Sequence, residues 1–524
     1  YHEDVLGLTS GNISRGHRFH SGGDIVITSP DSYAEQLREA YVIVDFNQRR
    51  DIIRQGVTEL AASLDGQAVI DEDLLDEVSA LNEWPVPLMG RFDEHFLQVP
   101  SQALISSMKE HQKYFHVVDQ NNNLMAAFVT VANIESKDPV QVIDGNERVI
   151  RPRLADAAFF YQNDKQSSLE SRRESLKQVV FQAKLGSVFA KTERVAALAE
   201  TIAQYTDTDP KLARRAAELS KSDLVTDMVG EFDDLQGTMG RDYALNDGEP
   251  EEVAEALFEQ YLPRFAGDQV PETGTGTTLA LADRLDSLVG IFSIGQQPSG
   301  SRDPFALRRA SLGVLRIMIE RKIDLDLTQA INAAAAQFEL SKEGDLSSDN
   351  ICKQVLTYIV DRFKSWYRDE GMAAEVFMAV TALELSNPLD INARVQAVNQ
   401  FSQLPEAVAL AAANKRVANI LAKQLGDTVP AAVQPALLQE PAEQALASAI
   451  RSLSQEVEPL VQQRDYSGIL QKLAQLRKPV DGFFDKVMVM ADDQAIRDNR
   501  LALLFSLRQM FINVADISQL APTK

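Results

Sequence analysis

Cysteine is almost absent from this 524-residue chain: Cys352 stands alone, which excludes an intramolecular disulfide and any cysteine cage for zinc, and fits a reducing cytoplasm. Histidine is confined to the first 116 residues, as His2, His17, His20, His95, His111 and His116. The spacings of His17 with His20 and of His111 with His116 serve a metal only if further ligands come from elsewhere, so polar surface is their expected role. No run of about 18 apolar residues occurs and no secretory leader opens the chain, so neither a membrane span nor export is expected. A Walker sequence and a nucleophile elbow are also missing.

Positive charge is in deficit. Lysine and arginine number 52 against 76 acids, a net charge of -24, which as a single figure argues against a polyanion partner. The distribution is uneven, however. Residues 148–194 hold ten lysines and arginines against five acids, whereas residues 247–272 hold eight acids and Arg264 as the sole cation. Segregated acids keep the chain soluble while basic tracks stay available to a folded RNA.

The length predicts three or four domains. The chain opens at Tyr1 without methionine and soon enters strand-like runs, Asp24-Ile25-Val26-Ile27 and Tyr41-Val42-Ile43-Val44, so it is expected to begin inside a domain. Residues 115–118 and 127–131 flank Asn121-Asn122-Asn123 and predict a hairpin. From about residue 167 the periodicity turns helical, with segments at 195–205 and 212–227. Breaks are expected at 206–210, 263–278, 341–349 and 427–441, and a last boundary near 390.

Several clusters can carry chemistry. In the segment after Asp493, Ile496, Leu503, Leu507, Met510 and Val514 recur every three or four residues and form one buried helix face. Arg497 and Arg508 lie about three turns apart, flank that face and can meet a phosphate backbone. Arg500 sits nearer the apolar side, where a guanidinium requires a carboxylate; Asp485 is the expected partner. The run 145–157 is read as joining a turn to a helix. If extended, it puts Arg151 and Arg153 on one side with Arg148 opposite, where the three either grip phosphates or clamp neighbouring carboxylates. In residues 299–309, Asp303 is the expected N-cap, Pro304 the first helical residue and Arg302 a phosphate ligand. Gly274-Thr275-Gly276 follows no predicted strand and is read as a linker.

Residue identities add to this. KPVDGFFDKVMVMADDQAIRDNRLALLFSLR at 478–508, together with Asn414-Lys415-Arg416-Val417, resembles the DALR anticodon-binding domain in the form found in the beta subunit of bacterial heterotetrameric glycyl-tRNA synthetase. The resemblance runs from Arg15 to Ser518. It extends through Arg15-Gly16-His17-Arg18-Phe19 and residues 110–115, similar to a phenylalanyl-tRNA synthetase module, through the 145–157 run, and through 299–309. Residues 194–288 resemble an HD-family fold, with Arg194-Val195-Ala196, Lys221-Ser222-Asp223 and Ala282-Asp283-Arg284-Leu285. The imidazoles that a working HD metal centre uses are missing, so Asp223 and Asp283 are expected as caps or ion-pair partners.

The resemblance implies a multidomain chain lacking an upstream portion: an α+β module at 1–165, an HD-like helical domain with linker helices at 166–390, and a DALR-like helical domain at 391–524. It implies tRNA(Gly) binding, with Lys415, Arg416, Lys478, Arg497, Arg508, Arg148, Arg151, Arg153 and Arg302 as candidate contacts. No catalytic or metal residue and no bound cofactor is expected here, and the short signatures of class I synthetases are missing. Glycyl-adenylate would be made from glycine and ATP, with magnesium, by an alpha subunit in an α2β2 cytoplasmic assembly. Two other readings stay open: an HD-type metal phosphohydrolase with an RNA-binding tail, and a noncatalytic RNA-binding scaffold.

Overall fold

The computed structural model describes residues 4, 5, 8, 9, 11–340, 344, 346–426 and 428–521. His2, most of 341–345 and Asp427, which opens the last expected break, lie outside the described residues. The chain divides into two compact units: Tyr1–Leu176 with Ser220–Ala254, and Lys177–Leu219 with Glu255–Lys524. The expected boundary near 390 falls inside the second unit, in a helix that begins at Pro388. No helix among the described residues is long and apolar enough to cross a membrane.

In the first unit, β1 (Ile13–Arg15) and β2 (Asp24–Val26) pair antiparallel. A four-stranded antiparallel sheet follows, built from β3 (Gln67–Ala68), β4 (Val86–Arg91), β5 (Phe115–Val118) and β6 (Leu124–Ala132) in the order β3-β5-β6-β4. The expected hairpin is β5-β6. Asn122 takes the left-handed conformation its turn needs, and the Asp119 carboxylate accepts from the amides of Asn121 and Asn123, each at 2.8 Å. Gly90 of β4 lies beneath the Phe128 ring, which leaves no room for a Cβ.

Helices α1 (Phe46–Ala62) and α2 (Glu72–Leu81) cover the sheet. Ile53, Val57 and Ala61 recur every four residues on α1 and pack with Leu75, Phe115 and Val129 into the core. The run 41–44, expected as a strand, is irregular. Tyr41 has φ 62°, and the carbonyls of Ile43 and Val44 are taken by the Arg49 guanidinium at 2.6 and 3.1 Å, so a side chain replaces the ladder.

Helix α3 (Pro139–Asp164) corrects a second expectation, because 145–157 is helical throughout, including Pro152. Ile150, Leu154, Ala157 and Tyr161 are buried along one stripe, and burying it outweighs the hydrogen bond lost at proline.

Among its described residues, the second unit is helical apart from loops and one two-stranded ribbon, Val180–Gln182 with Gly186–Ser187. Its earlier helices include α4 (Val188–Ile202), α5 (Pro210–Leu219), α6 (Gly274–Ser293), α7 (Leu307–Glu320) and α8 (Ser348–Val360). Gly274-Thr275-Gly276 is not a linker: it is the first turn of α6, a helix buried on nearly every side. Thr273 caps it, and the buried Glu259 carboxylate accepts from the amides of Glu272 at 2.6 Å and Thr273 at 3.1 Å. A Cβ at residue 276 would overlap that carboxylate, which is why glycine stands there. The buried Arg284 of α6 donates to the carbonyls of Gln260, Leu262 and Pro263, fastening the preceding loop to the helix.

The last helices are α9 (Pro388–Ser402), α10 (Ala407–Gln424), α11 (Pro441–Gln462), α12 (Tyr466–Leu473), α13 (Arg477–Lys486) and α14 (Gln494–Ile512).

Candidate nucleic-acid interface

Helix α14 starts at Asp493, whose carboxylate accepts from the amides of Ala495 and Ile496 at 2.8 and 3.2 Å. Leu503, Leu507, Met510 and Val514 are buried as their spacing predicts, while Ile496 is half-buried. Arg500 is buried and ion-paired, but its partner is Glu443 of α11, not Asp485. Asp485 is exposed on α13, whereas Glu443 is fully enclosed. A second donor of Arg500 reaches the Met488 carbonyl at 2.7 Å.

The two arginines three turns apart have different surroundings. Arg508 forms a bidentate pair with Asp516, at 3.1 and 2.8 Å, so its charge is already matched within the protein. Burial pushes the Asp516 carboxyl up, yet Arg508 and the Ser518 donors outweigh it and hold the group below the usual carboxylate range. Arg497, half-buried, donates to the Ala491 carbonyl at 3.2 Å and to the side chain of Gln494.

Arg497 and Arg500 therefore secure both ends of the 487–493 loop. Val487 and Val489 point inward and Met488 and Met490 outward, at 76% and 42% exposure. On neighbouring α10, exposed Arg416 lies 4.3 Å from the centroid of the half-buried Phe484 ring of α13. Lys478 lies in the first turn of α13 and is exposed. Lys415 is half-buried and reaches the Ala521 carbonyl at 3.3 Å. Sequence reasoning missed Phe484, Met488 and Met490, although the Val-Met-Val-Met alternation carried the signal of a two-sided extended segment.

In the first unit, the helical turn of about 100° per residue reverses the expected arrangement of arginines. Arg148 and Arg151, three apart, share an exposed face of α3, while Arg153 turns away to Glu231 at 3.3 Å. Arg148 also pairs with Asp144 one turn earlier. Back in the second unit, Arg302 is exposed and closes a tight turn with Ser299. The helix α7 begins at Leu307 rather than at Pro304, and its N-cap is Ala306 rather than Asp303; the Asp303 carboxylate instead reaches forward to accept from the amides of Leu307 and Arg308 at 2.9 Å each.

The HD-like motif residues make protein contacts. Asp283 pairs with Lys191 at 3.2 Å, and Arg194 pairs with Asp286 at 2.7 Å. In the first unit, the buried Asp223 carboxylate accepts from the Gly237 amide. His17, expected on the surface, is buried with Nε2 against the Asn133 carbonyl. Among the described residues no three histidine, cysteine or carboxylate side chains gather as a metal site.

Comparison with known proteins gives these helices a context. Residues 410–521 match the family model described as the DALR anticodon binding domain; together with the model over residues 2–382 and the relatives of the chain, this makes it a component of an aminoacyl-tRNA synthetase. Residues 2–382 match the model described as glycyl-tRNA synthetase beta subunit. The chain belongs to the glycyl-tRNA synthetase beta subunit family. It is 59% identical over 521 residues to the glycine–tRNA ligase beta subunit of Marinobacter nauticus, covering 99% of this chain and 74% of that relative. The proteins of the same name from Hahella chejuensis and Chromohalobacter salexigens are 54% and 55% identical, covering 99% and 98% of this chain and 74% of each relative.

Proposed function

We propose that the chain is the tRNA-binding subunit of a cytoplasmic α2β2 glycine–tRNA ligase, gripping tRNA(Gly) while an alpha subunit forms glycyl-adenylate from glycine and ATP with magnesium. The observation that carries this reading is that the helices matching the anticodon-binding model, α10 to α14, turn Arg416 to solvent against the Phe484 ring, expose Lys478 in the first turn of α13, and expose Met488 and Met490 in the loop that follows α13. Cations with flat or soft apolar surface suit an RNA loop, whose phosphates need charge and whose unstacked bases need a platform. Arg416 and Lys478 take the phosphates in this reading, Arg148, Arg151 and Arg302 are further contacts, and Arg497, tied to the Ala491 carbonyl and Gln494, shapes the 487–493 loop. Lys415, Arg153 and Arg508 already have partners in the protein and serve mainly to hold these elements.

The HD-like region acts as a helical scaffold, and no cofactor is held by this chain. Positioning is its catalytic contribution: fixing the terminal ribose hydroxyl of the tRNA at the adenylate removes an entropic cost on the order of several kcal/mol. Purified alpha subunit titrated with the chain tests this. Glycine transfer to tRNA is expected to need both proteins, with the anticodon protected from chemical probes. Absence of measurable tRNA association at modest ionic strength, with the alpha subunit present, would overturn the reading.

A further inference from the structure

The second unit contains an open depression of about 460 Å³ between the end of α6 and one face of α8, and it uses none of the residues assigned above. Its α8 wall has a four-residue repeat: Lys353 and Gln354, then Thr357 and Tyr358 one turn on. Phe292, from the last turn of α6, meets Tyr358 edge to face, with ring centroids 5.2 Å apart and planes at 61°. Arg362 lies 4.9 Å from the centroid of Tyr358. The phenol oxygen of Tyr358 is buried and has no hydrogen-bond partner.

Gln297, just past the end of α6, donates to the side chain of Gln354 at 3.1 Å. Two carboxamides joined head to tail keep one carbonyl and one NH₂ group for a ligand, whichever way round they sit. A nucleobase edge offers the matching donor and acceptor side by side. Of the described residues that line the depression one is a cation, Lys353, with Arg362 behind the Tyr358 ring. Lys353 is exposed without an ion-pair partner among the described residues, whereas Asp361 is taken by Lys364 at 2.9 Å. One lysine suits a single phosphate and is too little for a triphosphate. The volume lies within the usual range for small-molecule sites.

We propose that this depression receives one unstacked nucleotide of the bound RNA. Its base lies against the Tyr358–Phe292 wall, the Gln297–Gln354 pair reads the base edge, and Lys353 meets the phosphate. RNA is read in this way where bases leave the stack. The inference rests on the tRNA-binding reading above.

The test is a nucleotide-resolution chemical footprint of tRNA(Gly) on the full chain with its alpha subunit, comparing wild type with Lys353→Ala/Gln354→Leu. Thr357→Trp is a second variant that fills the depression from an exposed position. Both variants are expected to melt as wild type does. In both, one nucleotide outside the anticodon regains full reactivity, anticodon protection persists, and affinity falls about fivefold or more. Identical footprints from wild type and both variants, with tRNA still bound, would overturn the pocket and leave the tRNA reading standing. No protection by wild type would overturn both. Saturable binding of AMP, CMP, GMP or UMP at these residues by ligand-observed NMR, with an unchanged footprint, would replace RNA by a free nucleotide. Weakened alpha-subunit binding with an unchanged footprint would replace it by protein.

Discussion

Arg500→Ala strands the fully enclosed Glu443 carboxylate, and removing one member of such a pair costs about 3–5 kcal/mol. The urea midpoint of the variant is expected to fall accordingly, and a wild-type midpoint would refute the pair's role. Asp516 gives a pH-dependent counterpart. Its folded-state pKa lies below the unfolded value, so the stability it contributes is complete above about pH 4 and is lost as pH falls through the folded pKa. Asp516→Asn is therefore expected to be less stable than wild type at pH 7, by about 1 kcal/mol after solvent screening, with the gap closing on acidification. A gap that stays constant down to the most acid condition at which both proteins fold would remove Asp516 as its source. The choice of Glu443 over Asp485 was not legible in the sequence: Asp485 is near in the chain, but the two partners meet only when α11 packs beside α14.

At the scale of elements, periodicity succeeded where one pattern dominated and failed where two competed. The α14 stripe and the β5-β6 hairpin were legible because burial and turn chemistry agree. In 145–157, glycine, asparagine and proline signalled a turn, yet the stripe of Ile150, Leu154, Ala157 and Tyr161 kept the segment helical. That difference rearranged the arginines, since a period of two and a period of 3.6 pair different residues. The loop of residues 487–493 depends on α14 for its shape, so Arg497→Ala is expected to speed amide hydrogen exchange there while α14 itself stays protected. Unaltered exchange in the loop would show that the Ala491 contact is dispensable. Charge reversal separates binding from structure. Arg416→Glu with Lys478→Glu is expected to weaken tRNA binding and reduce the salt slope by about 2 without loss of the circular-dichroism signal. Arg508→Glu, by contrast, faces Asp516 with a like charge and is expected to lower the melting temperature. The reverse outcome would exchange their roles.

For the whole molecule, a net charge of -24 means that RNA binding must come from local cationic surface working against the overall field. Affinity for tRNA is accordingly expected to fall steeply between 50 and 200 mM salt, and a flat response would exclude phosphate contacts as its main source. Composition, helical periodicity and the residue strings at 414–417 and 478–508 determined the mostly helical class and the family, because these are properties of neighbours along the chain. The tertiary structure alone decided which charges remain available. Lys415, Arg153 and Arg508 are engaged by groups 106, 78 and 8 residues away, while Arg416 and Lys478 stay exposed. A cation's freedom depends on which carboxylate or carbonyl folding brings to it, and spacing along one helix cannot supply that.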